Sequence, residues 1–324
     1  MAQIIADDID FNYYLRETDA QSKVKPASTW IGDIKNRLRN HTSERRIFLP
    51  WEKTSKEFQF RMGEVTLWAG QNGHGKSLVT SQVALSLMAQ GEKVCIASFE
   101  MKPQTTIQRM ARMFTGTNPF SPEYQGEDGI TILEQLYDEF GAWTDERLWL
   151  YDQLGTAETS KVIGMTRYCA KELKIKHIFI DSLMKCIRGE DDYNGQKEFV
   201  DELTAIAKDH DCHIHLVHHL KKPKDEQEKP DKHNSKGSGA ITDMVDNVLL
   251  VWRNKAKEEL IKLNKPCNQD EPDQFLFCRK QRNGEDEPTI ALWFNKDAMQ
   301  YVGAYGDAPM AFQMDYPHRW STFG

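Results

Sequence analysis

A chain of 324 residues with a formal net charge of −7 has room for one large α/β domain plus small appendages. That charge excludes nucleic-acid binding through bulk basicity, so any such contact must come from local loops. The six cysteines (95, 169, 186, 212, 267, 278) form no C-x-x-C pair, which points to a reducing compartment and away from a zinc ribbon or disulfide framework. The N-terminus lacks an apolar h-region, and no apolar run approaches the roughly 20 residues that span a bilayer, so the expectation is a soluble, cytoplasmic protein with no membrane partner.

Residues 1–29 are polar and aperiodic and read as an arm, flexible or docked on a partner. From Trp30 to His41 a short basic helix is expected, with Trp30, Ile31, Ile34 and Leu38 on one side; it packs on its own domain or docks on a neighbouring subunit, and the pattern leaves both open. The expected division is an arm and linker helix at 1–45, a main domain at 46–303 and a tail at 304–324. From about Ile47 strand and helix patterns alternate, which predicts an α/β fold with a mostly parallel central sheet and helices on both faces.

The strand Glu64–Ala69 runs into Gly70-Gln71-Asn72-Gly73-His74-Gly75-Lys76-Ser77, which fits G-x-x-x-x-G-K-[ST] at every fixed position. Leu78 then opens a helix to Gln90, with Val79, Val83, Leu87 and Met88 at helical spacing. Strand, glycine loop and helix N-terminus together form an anion cradle. Lys76 is expected to reach the β- and γ-phosphates and the Ser77 hydroxyl to ligate Mg²⁺, so this chain should bind ATP or another NTP or dNTP.

Further along, strands are expected at Lys93–Glu100, Arg147–Asp152, His177–Asp181, His213–Leu220, Asn247–Arg253 and Phe275–Arg282, with a closing hairpin of Thr289–Phe294 and Met299–Val302. Asp181 ends an apolar strand, where a P-loop protein holds its Mg²⁺ shell. Glu100 ends another and faces the crevice, as a base for the attacking water or as a capping glutamate. His213, His215 and His219 share one strand face and invite a zinc reading, but no Cys or carboxylate lies near, so His219 is better placed as a group that senses the γ-phosphate. Lys221, Lys222, Lys224, Lys232 and Lys236 sit in a long mixed-charge segment, and Arg188 lies just past Asp181; each is a solvated loop or a grip on a phosphodiester backbone. Cys278-Arg279-Lys280-Gln281-Arg282 is a hairpin tip or an arginine finger, and a finger supplied by a neighbour requires an oligomer.

Taken in order, these pieces resemble the ring-shaped replicative DNA helicases with a RecA-like motor, the family of DnaB, mitochondrial Twinkle and the phage primase–helicases. Ser98-Phe99-Glu100-Met101 is similar to its catalytic-glutamate strand, and Ile180-Asp181-Ser182-Leu183 to its Mg²⁺ strand. His218-His219-Leu220-Lys221-Lys222-Pro223 resembles the phage form of the γ-phosphate sensor, and Gly237-Ser238-Gly239-Ala240, followed by Asp246-Asn247-Val248, the glycine patch after the DNA loop. Lys280-Gln281-Arg282-Asn283-Gly284 looks like the paired trans-acting cations, with Arg282 the finger and Lys280 its companion. The resemblance implies a RecA-like P-loop core and a hexameric ring on single-stranded DNA that unwinds duplex during replication beside a primase or polymerase, with Arg253 and Phe294 sandwiching the base. A RecA-type recombinase and a loader or regulatory ATPase that binds a protein partner are the other classes. Neither the zinc-binding primase module nor the helical collar of some family members is expected within residues 1–45.

Overall fold

The computed structural model describes residues 3–5, 31–32, 34–35, 46–187, 189, 192–220 and 239–312. These build a 10-stranded sheet. Its parallel part runs in the order β1 (Gln3–Ile5), β6 (Leu148–Tyr151), β5 (Val94–Ser98), β7 (His177–Asp181), β8 (His213–His219), β4 (Val65–Gly70) and β9 (Asn247–Arg253). Three antiparallel strands complete it: β10 (Gln274–Gln281), β11 (Thr289–Asn295) and β12 (Gln300–Val302). A separate two-stranded ribbon joins β2 (Ile47–Phe48) to β3 (Gln59–Phe60).

The central parallel strands read as continuous apolar runs because both faces of the sheet are covered. Successive side chains alternate between two cores. Leu67, Ala69, Cys95, Ile178 and Ile180 meet α4 (Thr159–Lys171) and α5 (Tyr193–His210). Trp68, Val94, Ile96 and Phe179 meet α1 (Lys76–Ala89), α2 (Pro103–Thr115), α3 (Glu127–Thr144) and the β2–β3 ribbon. Helix α1 is buried along most of its length, so its polar groups are spent internally: the Gln82 amide donates to the Tyr301 carbonyl and accepts the Tyr301 N–H, both at 2.8 Å. This fastens β12 to the helix behind the glycine loop.

The expected mostly parallel sheet and the closing hairpin are present. Three features were not anticipated. Gln3–Ile5, inside the segment read as an arm, pairs with β6. An exposed edge offers unpaired backbone groups, and Gln3-Ile4-Ile5 has the β-forming character to take them. Between β8 and β9 lies α6 (Gly239–Met244), and after β9 comes α7 (Lys255–Lys262), a polar stretch made helical by Asn254, whose side chain accepts the Lys257 N–H at 3.1 Å. Past the hairpin, Phe312 is buried and Gln300 exchanges hydrogen bonds with the Met310 backbone at 2.9 and 3.0 Å.

The histidine strand is packed as core. The His213 Nδ1–H donates to the Arg61 carbonyl at 2.6 Å, leaving Nε2 to accept from Thr66 at 2.8 Å. Trp68 donates its indole N–H to His215 Nδ1 at 3.2 Å, so His215 Nε2 carries the proton and donates to His177 Nδ1 at 3.1 Å. Phe60 packs edge-on against all three rings. Burial holds each imidazole neutral, and the His213 pKa falls to about 4. Among the described residues no cluster of three or more His, Cys, Asp or Glu is placed to hold a metal.

Candidate active site

The crevice forms at the carboxyl ends of β4, β5, β7 and β8, where an open α/β sheet presents its loops to ligand. The β4 strand stops at Gly70 and the chain turns through Gly73 and Gly75, with φ of 78° and 81°, a region that a side chain would resist. Gly75 caps α1, whose first N–H groups therefore point into the loop. The Lys76 ammonium is folded back onto the Gly70 and Gln71 carbonyls, both at 2.8 Å. Burial lowers its pKa to about 8, although Asp181 and Glu100 pull the other way.

Ser77 Oγ donates to Asp181 Oδ2 at 2.6 Å, so the P-loop hydroxyl and the carboxylate ending β7 share one point in space. The other oxygen, Oδ1, is buried with no hydrogen-bond partner, and burial raises the Asp181 pKa. A hydroxyl and a carboxylate with a spare buried oxygen make a hard-oxygen pair that fits Mg²⁺. Glu100, just past β5, accepts at Oε1 from Ser182 Oγ and from His219 Nε2, each at 3.2 Å. The His219 hydrogen bond is the largest of the causes that hold the Glu100 carboxyl below its ordinary range. Lys76, Ser77, Glu100, Asp181 and His219, widely spaced in sequence, thus converge.

Beyond the glycine loop a cavity of about 680 Å³ opens, lined by Arg253, Phe294, Trp293, Tyr301 and Tyr305 among others. The loop is braced against it: His74 Nδ1 accepts the Arg253 N–H at 3.0 Å, and Gln274 donates to the His74 carbonyl at 3.1 Å. The Arg253 guanidinium is held by Glu258 of α7 at 3.1 Å, while Phe294 lies 5.1 Å from Tyr301 between ring centres. Both residues expected to flank a base therefore stand at one cavity next to the phosphate loop.

Lys280 and Arg282 lie elsewhere. Strand β10 is antiparallel to β9, with Gln274 opposite Arg253 and Gln281 opposite Asn247. Asn247 in turn pairs with Thr66, at the start of β4. The cations therefore sit at the opposite end of the sheet from Gly70, and β4 with its 6 residues spans about 20 Å at about 3.3 Å per residue. The residues between and beyond the cations are anchors. Gln281 donates to the Glu57 and Asp286 carbonyls (3.0 and 2.8 Å), and Asn283 donates to Glu64 at 2.7 Å. A Cβ on Gly284 would lie 2.1 Å from Gln281 Cδ, so a side chain there would push the Gln281 amide off the two carbonyls it holds. Arg188, Lys221, Lys222, Lys224, Lys232 and Lys236, together with most of the linker helix, lie outside the described residues.

Sequence reasoning missed several contributors. Ser182 follows Asp181 and fixes Glu100; its adjacency to Asp181 was the available signal. Arg109 of α2 stands half-buried near Asp181: burial lowers its pKa and the Asp181 charge opposes the drop. Glu258 was missed as the holder of Arg253, and Asp246, noted only for its resemblance, was not foreseen as the partner of Arg282.

Residues 56–303 match the family model described as the DnaB-like helicase C-terminal domain. Among solved structures, an isolated ATPase domain superposes with a TM-score of 0.68 at 15% identity, covering 86% of this chain and 99% of that one. A DnaB-like replicative helicase, solved in a study of its interactions with primase, superposes with a TM-score of 0.65 at 14% identity, covering 86% and 67% of the two chains. At these identities the superpositions show the shared RecA-like fold.

Proposed function

Because the chain belongs to the family of DnaB-like helicase C-terminal domains, we propose that it is an ATP-driven motor that moves along single-stranded DNA and unwinds duplex during replication. It works as a homo-oligomeric ring, a hexamer, with each nucleotide at a seam between two copies. One copy offers Lys76, Ser77, Glu100, Asp181 and His219, and the next offers Arg282 with Lys280. The observation that carries this reading is the placement of Arg282 about 20 Å along the sheet from its own phosphate loop. A cation there cannot serve its own pocket. Half-exposed apolar side chains at Ile31, Ile34, Ile130 and Ile132, with the more exposed Phe120, support contacts between copies.

Each side chain has a defined task. Lys76 leaves the Gly70 and Gln71 carbonyls for the β- and γ-phosphates. Ser77 and Asp181 would hold Mg²⁺, which when bound would supply neutralising charge to those phosphates. Glu100 orients the attacking water and takes its proton at a carboxylate oxygen, and Ser182 and His219 aim it. When the γ-phosphate departs, His219 exchanges one hydrogen-bond partner for another. Arg253 and Phe294 flank the base, and the lysines of 221–236 with Arg188 contact the DNA backbone. A primase or polymerase of the same replisome is the expected partner. The test is ATPase rate against protein concentration, with and without single-stranded DNA, beside unwinding of a forked duplex. The proposal expects cooperative onset, DNA stimulation and strand release. Strand pairing without unwinding marks a recombinase, and ATPase indifferent to DNA marks a loader.

A further inference from the structure

The seam cations are occupied inside their own chain. Arg282 Nη1 is 3.1 Å from Asp246 Oδ1, and Nη2 donates to the Asp243 carbonyl at 3.2 Å. Asp246 is a built holder: its side chain is 4% exposed, and its second oxygen is fixed by the Val65 N–H at 3.0 Å, at the start of the strand that leads to the glycine loop. Lys280 donates to the carbonyls of Thr242, Asp243 and Val245, at 2.9, 2.9 and 2.7 Å, closing the C-terminal end of α6. The Arg282 guanidinium remains 42% exposed, so it can leave without unfolding anything around it.

We infer that Asp246 is a positioning residue that parks Arg282 while no neighbouring phosphate calls for it. This rests on the reading of Arg282 as the trans-acting finger. Engagement across a seam must break the Asp246–Arg282 ion pair and withdraw the guanidinium from the Asp243 carbonyl at the end of α6. Part of the attraction of the neighbour's phosphates is spent on that release, which restrains hydrolysis in rings that are not firmly engaged. A half-exposed ion pair of this kind restrains the rate by a small factor, about threefold.

The experiment is D246N in the full chain. The amide oxygen still accepts the Val65 N–H, while the charge that holds Arg282 is gone. Basal ATPase without DNA should rise about threefold and the rate with saturating single-stranded DNA should change little, so the stimulation ratio falls. The double variant D246N/R282A should show no such rise over R282A, which a merely structural role for Asp246 would not predict. If D246N does not fold by thermal melt, D246S, whose hydroxyl can take the same N–H, carries the test. A folded D246N or D246S with an unchanged or lower basal rate overturns parking. R282A alone decides the finger reading separately: if it turns over normally the finger is lost, whereas if it is inactive and D246N is not activated, only the parking is.

Discussion

Replacing Arg282 by alanine tests where the charge on the transferring phosphoryl group is met. An arginine finger contributes about 10³-fold or more to kcat, which is about 4 kcal/mol of barrier. Within one chain the sheet register keeps Arg282 about 20 Å from the glycine loop. Two unit charges that far apart in water interact by about 0.2 kcal/mol, and physiological salt reduces this further. The intramolecular electrostatic route therefore falls short by more than an order of magnitude, so a large loss in R282A that keeps its wild-type melting temperature comes across a seam. The expected result is nucleotide binding close to wild type, by equilibrium titration, with kcat down about 10³-fold or more. Mixing R282A with K76A, each nearly inactive alone, should restore turnover at seams pairing an intact loop with an intact finger. Near-normal kcat in R282A, or a mixture no faster than its parts, would refute the reasoning.

Three further outcomes follow from the geometry. E100Q keeps the shape but cannot take a proton, so kcat should fall about 10²-fold or more with nucleotide affinity retained; equal loss of both in a binding titration would reassign Glu100 to structure. E258Q frees the Arg253 guanidinium, and because that pair is about one-third exposed the nucleotide KM should rise only about two- to fivefold at constant kcat; an unchanged KM would remove Arg253 from the base site. Acid should destabilise the fold through the buried imidazoles. His177 and His215 are held neutral and the pKa values of His213 and His218 sit at about 4, all below the ordinary 6.5, so the unfolded chain binds the extra protons. Stability from these groups is complete above about pH 6.5 and drains away as pH falls toward 4, by up to about 1.4 kcal/mol per histidine per pH unit. Urea midpoints at pH 7.5 and 5.5 that coincide would contradict this.

How much of this was legible in the sequence depended on range. The P-loop could be read because its chemistry is local: eight consecutive residues set the turn, the helix start and the cation. Asp181 and Glu100 were legible as carboxylates at strand ends, since apolar runs fix the strands and topology brings their ends together. The strand read as carrying a finger was singled out by its resemblance, but not the reason for its intervening residues, because Gln281 reaches the Glu57 carbonyl and Asn283 reaches Glu64 only after the chain has folded. Helix α7 was missed since a short polar stretch carries no apolar period; a single asparagine cap starts it. The strand Gln3–Ile5 was missed because its pairing partner lies far away in the chain.

Strand β8 has one more mechanical meaning. It is laddered to β7 on one side and β4 on the other, and its His213 and His215 lock into threonine, tryptophan and a second strand's imidazole with both tautomers assigned. A strand so clamped along its shaft resists bending. If His219 registers the γ-phosphate as proposed, a displacement at that tip should pass more readily to Leu220 than back along the laddered strand.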